Sequence, residues 1–129
     1  MEYYFSKTIA DSFDNAVQKV TEGLKVEGFG VLTEIDIKAT LKKKLDVSFY
    51  NYKILGACNP PYAYKALLAE DKIGIMLPCN VIVQEKVVGQ VEVSAINPVA
   101  SMSAIENPKL VDIAIEIQKK LKAVIDKLN

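Results

Sequence analysis

The residues of this chain best suited to chemistry are its two cysteines, each followed by asparagine and each within two residues of a proline. Cys58-Asn59-Pro60 closes one apolar run, and Leu77-Pro78-Cys79-Asn80 opens another. A cysteine that ends a strand just before a helix sits where the helix dipole and free N–H groups favour thiolate over thiol, which makes Cys58 the more reactive candidate. Two thiols together suit redox exchange or capture of a soft metal. They supply at most half of a tetrahedral zinc site in one chain, and their spacing is not Cys-x-x-Cys. The competing reading is packing, because free cysteine is among the most buried residue types and behaves as a small apolar filler. Packing is the stronger reading for Cys79; for Cys58 both stay open.

What the chain lacks narrows the chemistry further. It has no histidine, which removes Ser-His and Cys-His nucleophile pairs and the commonest transition-metal ligand. All 16 basic residues are lysine, balanced by 16 acidic ones. Without arginine's planar fork or a net positive charge, nucleic-acid reading is not expected. No apolar run approaches the length of a membrane span, and no charged segment followed by an apolar run opens the chain, so no membrane partner is expected. Together with two cysteines in a core-forming chain, this suggests the cytoplasm.

Half of the 129 residues are apolar, enough for one domain over 1–129. Tyr3, Phe5 and Ile9 alternate as in a strand, and Asp11 and Ser12 offer caps to a helix in which Phe13, Val17, Val20 and Leu24 recur before Gly28 stops it. A second strand over 29–37 leads into a short helix over 37–45, whose Lys42, Lys43 and Lys44 read as a solvated face. A third strand covers 51–58. Asn59 is placed to cap a helix whose first residues are Pro60 and Pro61. A fourth strand is predicted from Lys72, interrupted at Pro78 by an edge position or bulge, and resuming over 81–85. Val91, Val93 and Ala95 mark a fifth strand, reached by a hairpin. The stretch 97–106 has no clear period. Asn107 and Pro108 then open a final helix with Leu110, Ile113, Ala114, Ile117, Leu121, Val124 and Leu128 on one face.

This order predicts an α+β fold, a two-layer sandwich with a mixed sheet of about five strands and helices mainly on one face. The helix between Cys58 and the fourth strand has the length of a crossover, which would make the third and fourth strands parallel and place the cysteines at similar heights. The sheet's other face should then be polar, yet Tyr4, Leu32, Ile54 and Ile82 fall on it. Soluble monomers seldom leave such a patch bare. A homodimer covering it is the economical expectation; the alternative is that 97–106 folds over it.

Other constellations carry less. Tyr50, Tyr52, Tyr62 and Tyr64 lie near Cys58 in sequence and could line an amphipathic pocket, though such aromatics are more often core and rim. Glu34 and Asp36 share a strand face but read as solvated. An enzyme using Lys53 or a tyrosine lacks a supporting constellation. Gly28-Phe29-Gly30 precedes a strand rather than opening a helix, so no nucleotide loop is predicted.

The strand Tyr52-Lys-Ile-Leu-Gly-Ala-Cys58, the helix with Ala63 and Leu67 after Cys58-Asn59-Pro60, Leu77-Pro78-Cys79-Asn80-Val81 and the later Asn97-Pro98 together resemble the "domain of unknown function 302" family of small bacterial and archaeal proteins. The resemblance implies a compact homodimeric domain of strands and helices, without an established activity. Its motif falls on Cys58, Pro60, Pro78 and Cys79. Asn97-Pro98 replaces the usual Asp-Pro, which speaks against an acidic ligand there.

The expectation is a cytoplasmic homodimeric module that binds a small molecule or regulates, rather than an enzyme, and needs no cofactor. Its candidate ligand-binding residues are Cys58, Asn59, Pro60, Pro78, Cys79 and Asn80. The alternative is a thiol redox or soft-metal protein using Cys58 and possibly Cys79 as the metal candidates.

Overall fold

The computed structural model describes residues 2–129. Its strands are β1 (Tyr4–Ala10), β2 (Gly30–Asp36), β3 (Asn51–Cys58), β4 (Cys79–Val87) and β5 (Gln90–Ile96). The helices are α1 (Phe13–Val26), α2 (Ile37–Leu45), α3 (Pro60–Ala69), the short α4 (Pro98–Ser101) and α5 (Pro108–Asp126), with a 3₁₀ helix over Asp71–Met76. The strands form one sheet in the order β1-β5-β4-β3-β2. This is the expected α+β architecture, with one correction. Every ladder is antiparallel, including β3 with β4, so the sheet is not mixed. The segment between those two strands leaves and re-enters at the same end of the sheet, where Ala57 pairs with Cys79; a parallel crossover would have had to travel the strand's length first.

The predicted strand over 72–77 is also corrected. In a strand, Ile73 and Ile75 would share a face; instead Ile73 is fully buried and Ile75 is 81% exposed. The tighter 3₁₀ turn separates them, and β4 begins only after Pro78.

The core lies between one sheet face and two helices. Leu55, Ala57, Val81, Val83, Val91, Val93 and Ala95 project from the strands, against Ala16, Val20 and Leu24 of α1 and Ile117, Leu121 and Val124 of α5. Both helices earn their places by period and by caps. Asn15 N–H donates to Ser12 Oγ at the start of α1, and Lys109 N–H to Asn107 Oδ1 at the start of α5. A second, smaller cluster of Ala66, Ile73 and Leu110 joins α3 and the 3₁₀ helix to α5.

On the opposite face, register aligns Ser6, Ser94, Ile82, Ile54 and Ile35 in one row across all five strands. Ile35 is 45% exposed; Leu32, expected on this face, falls instead at the irregularity between Val31 and Thr33, where it is 68% exposed and lines a gap with residues of α3 and α5. The segment 97–106 does not fold over this face: α4 packs on α5, on the helical side. Among the described residues no helix is long and apolar enough to cross a membrane.

Asn97, buried just past the end of β5, ties three parts of the chain together. Its Nδ2 donates to Glu2 O at 3.0 Å, while its Oδ1 accepts from Val99 N–H and from Gln118 Nε2, both at 3.1 Å. The residue is structural, filled on every side by its own chain. Asn97→Ala is expected to cost about 1–3 kcal/mol, since it removes three part-buried hydrogen bonds at once; urea denaturation at unchanged m-value measures this.

Candidate ligand-binding site

The elements around the two cysteines enclose a cavity of about 290 Å³. Cys58 is the last residue of β3 and Cys79 the first of β4, so the wall they form is the end of the sheet. Ala57, paired with Cys79, and Pro78 complete that wall. Across the gap stand Tyr62, Ala63 and Ala66 of α3 and Ile113, Ala114 and Ile117 of α5, with Pro98 and Met102 closing one side. Leu32 and Leu67, 68% and 44% exposed, mark the way out. The lining is almost wholly apolar and carries no charged side chain.

The space exists because alanines stand where larger side chains would close it. Ala57, Ala63, Ala66 and Ala114 come from three different elements and all face inward. What holds α3 at this distance is a pair of asparagines. At its start, Asn59 was expected to cap the helix; its Nδ2 instead donates to Glu27 O, 3.1 Å away at the end of α1. Gly28 makes room for that reach: its φ is +89°, and a Cβ there would lie 3.2 Å from Asn59 Nδ2. At the other end, Asn107 Nδ2 donates to Ala69 O at 2.8 Å and to Glu70 Oε1 at 3.2 Å.

The expected site residues therefore separate. Cys58, Asn59, Pro78 and Cys79 line the cavity. Pro60 is exposed on the first turn of α3, and Asn80 lies on the opposite face of the sheet beside Tyr4 and Ile82. Of the four tyrosines, Tyr62 lines the cavity. Tyr50 and Tyr52 cluster with Phe49 at the far end of β3, with Phe49 and Tyr50 rings 4.1 Å apart, and Tyr64 is 65% exposed. The sequence reading missed Met102 and Ala114 as lining residues. The legible signal was the interruption of an otherwise leucine- and isoleucine-rich stripe by alanine.

The acids and Lys53 are engaged elsewhere. Lys53 Nζ donates to Glu34 Oε1 at 2.7 Å, a bond that raises the lysine's pKa above its ordinary value, and Asp36 Oδ1 accepts from Ala39 N–H to cap α2. Both cysteines carry free thiols; they form no disulfide pair. Burial, with a smaller contribution from nearby Cys58, pushes the Cys79 thiol up to about 11. Beside Cys58 the start of α3 offers few free donors: Pro60 and Pro61 have no N–H, and Ala63 N–H is given to Asn59 O.

Residues 5–128 match the family described as "Domain of unknown function DUF302". The chain belongs to this family. It is also similar to the crystal structure of the uncharacterized conserved DUF302 protein from Bacillus stearothermophilus, at 27% identity and a TM-score of 0.92 over 100% of both chains. No curated protein matches. The DUF302 assignment thus agrees with the fold and adds no activity to the site.

The buried thiol makes this DUF302 chain sensitive to alkali. A folded-state pKa of about 11 against an ordinary value of 9.0 means the unfolded state loses the Cys79 proton first. The stabilisation is full below pH 9 and is lost as pH rises toward 11, about 2–3 kcal/mol in all. Cys79→Ala is expected to flatten that part of the stability curve relative to wild type, as read by urea midpoints from pH 8 to 11.

Proposed function

We propose that this chain is a homodimeric cytoplasmic module that binds an uncharged, largely apolar small molecule between α3, α5 and the ends of β3 and β4. The observation that carries this reading is the cavity itself. A gap of about 290 Å³ between two core clusters, open at one side, leaves apolar walls facing water when empty, which an apolar occupant would relieve. An engineered apolar cavity of about 150 Å³ accommodates benzene, so the volume here suits a molecule of about a dozen non-hydrogen atoms. With no charge in the lining, an ionic group on the ligand would have to stay at the mouth near Leu32 and Leu67.

Binding is favoured over catalysis because the groups able to move protons are occupied or neutral. Lys53 is held by Glu34, and Cys79 keeps its proton at physiological pH. The same raised thiol argues against redox exchange through Cys79, since the thiolate is the nucleophile. Free thiols fit a reducing compartment.

The neutral fluorophore 1-aminonaphthalene is a suitable probe. It is expected to bind with a blue-shifted emission at one site per chain. Ala63→Leu, which extends a side chain into the gap, is expected to weaken binding at least tenfold while leaving the melting temperature unchanged or higher. Absence of binding, or binding indifferent to this substitution, would count against the cavity as the site.

Support for the homodimer is the outer row of Ile82, Ile54 and Ile35, uncharged and running from half-buried positions on β4 and β3 to the exposed Ile35 on the edge strand β2. Two copies placed face to face would remove the rest of these side chains from water, a gain smaller than the roughly 1.5–3 kcal/mol of burying a fully exposed isoleucine because Ile54 and Ile82 are already half-buried. Sedimentation velocity is expected to give a dimer at micromolar concentration. Ile54→Lys should shift it to a folded monomer, with at least a hundredfold weaker association; a monomeric wild type would refute the dimer.

A further inference from the structure

We propose that the outer face of β1, β5 and β4 binds a free α-amino acid with an aromatic side chain, its ammonium on Glu92, Ser94 and Gln84 and its carboxylate on Lys86. The site is an open hollow of about 390 Å³, on the far side of the sheet from the apolar cavity and within the size range of small-molecule pockets. Register sets its side chains on a grid. Ile82, Ser94 and Ser6 form one row across the three strands, and Gln84, Glu92 and Thr8 form the next. Tyr4 stands opposite Ile96 on the other side of the first row. Strands lie about 4.8 Å apart and successive rows about 6.6 Å apart, so one small molecule spans the polar groups and the aromatic ones together. Asn80, singled out in the sequence and outside the apolar cavity, lines this hollow instead.

The hydrogen bonds already made on the floor leave acceptors, and acceptors select a donor-rich ligand. Ser6 Oγ donates to Glu92 Oε2 at 2.8 Å, which spends its only hydroxyl proton. The 2.9 Å contact between Ser6 Oγ and Ser94 Oγ is therefore donated by Ser94. Ser94 is buried, and its oxygen, like Glu92 Oε1, keeps a lone pair that no described residue fills. Gln84 directs its Nε2 to Tyr50 Oη, 3.5 Å away, and its Oε1 accepts from no described residue. Three acceptors at neighbouring grid positions match the three N–H bonds of an ammonium group, and the Glu92 charge strengthens the bond it accepts. Lys86 lines the same hollow. Among the described residues neither Glu92 nor Lys86 takes part in an ion pair, with one another or with any other group. One unpaired acid and one unpaired lysine favour a zwitterion over a net anion or cation. The remaining wall is apolar: Tyr3 and Tyr4 meet edge to face with ring centroids 4.9 Å apart, beside Ile82 and Ile96. A third aromatic ring packs on such a pair in offset or edge-to-face geometry.

Isothermal titration calorimetry of the full chain with L-phenylalanine tests this. One site per chain is expected, weakened at least tenfold in Glu92→Gln and in Lys86→Met, since each removes a charge-assisted hydrogen bond; thermal melting confirms that both variants fold. Phenylalaninamide, which lacks the carboxylate, and hydrocinnamate, which lacks the ammonium, should each bind at least tenfold more weakly than phenylalanine. Ile54→Lys lies outside the hollow and separates the site from self-association: binding by this variant alone still assigns the hollow, with a second copy covering it in the wild type. Ala63→Leu, in the cavity on the helical side, is expected to bind phenylalanine as wild type does. The proposal is overturned if neither wild type nor Ile54→Lys binds phenylalanine at millimolar concentration, or if either analogue binds as tightly as phenylalanine. It is equally overturned if Glu92→Gln or Lys86→Met binds as wild type, or if Ala63→Leu abolishes binding, which would place phenylalanine in the other cavity.

Discussion

Everything around the cavity depends on where the chain leaves and rejoins the sheet. β3 ends at Cys58 and β4 begins at Cys79, paired with Ala57 in an antiparallel ladder. The intervening α3 and 3₁₀ helix must therefore be stored at one end of the sheet instead of lying across it. There they meet α5, the helix long enough to extend past the sheet's core contacts. A helix docked on another helix at the end of a sheet cannot follow both surfaces at once, and the residual gap is the cavity.

That gap would be expected to collapse, since apolar surfaces close on one another unless something fixes their separation. The fixing is done by hydrogen bonds with exact partners. Asn59 anchors the start of α3 to the carbonyl ending α1, and Asn107, which also caps α5, anchors its end. A buried amide that loses its partner forfeits about 1–3 kcal/mol, so sliding α3 inward would break bonds at both ends to gain contacts in the middle. The two core clusters on either side remain well packed, with Leu55, Val81 and Leu121 in one and Ile73 in the other fully buried.

Much of this was legible in the sequence. Period-two and helical stripes located β1, β2, β3, β5, α1 and α5, because each buries one face and nothing else competes for its side chains. Cys58 and Cys79, singled out in the sequence by their residue types, both line one cavity. The parallel pairing failed because connection length bounds a crossover without requiring one; only the register shows that the chain comes back to the same end. The strand over 72–77 failed because Ile73 and Ile75 mimic alternation while only Ile73 is buried. Asn59 looked like a cap, and its local geometry allowed one. A longer-range bond to Glu27 O won, and no pattern along the chain encodes such a partner. Asn80 fell outside the cavity for a simpler reason, since neighbours in a strand point to opposite faces, and Pro60 because it starts α3 on that helix's exposed side.

The alternation along β3 also couples the two faces of the molecule. Ile54 points outward into the isoleucine row, Leu55 inward to the core, Gly56 outward and Ala57 inward, across from Cys79. At Gly56 the outer face has no space for a side chain: a Cβ would collide with Thr33 Oγ1 and lie 2.8 Å from Pro78 Cγ. Pro78 thus packs over the outer face while also lining the cavity, on the wall that Cys79 continues. A second copy seated on the outer row would press on residues adjacent to that wall, and a ligand in the cavity would press on the same wall from within. A packed sheet transmits such strain because it compresses little. Occupancy of the cavity and association through the outer face would then share free energy, each strengthening or weakening the other by the same factor, with Gly56 and Pro78 as the point of contact.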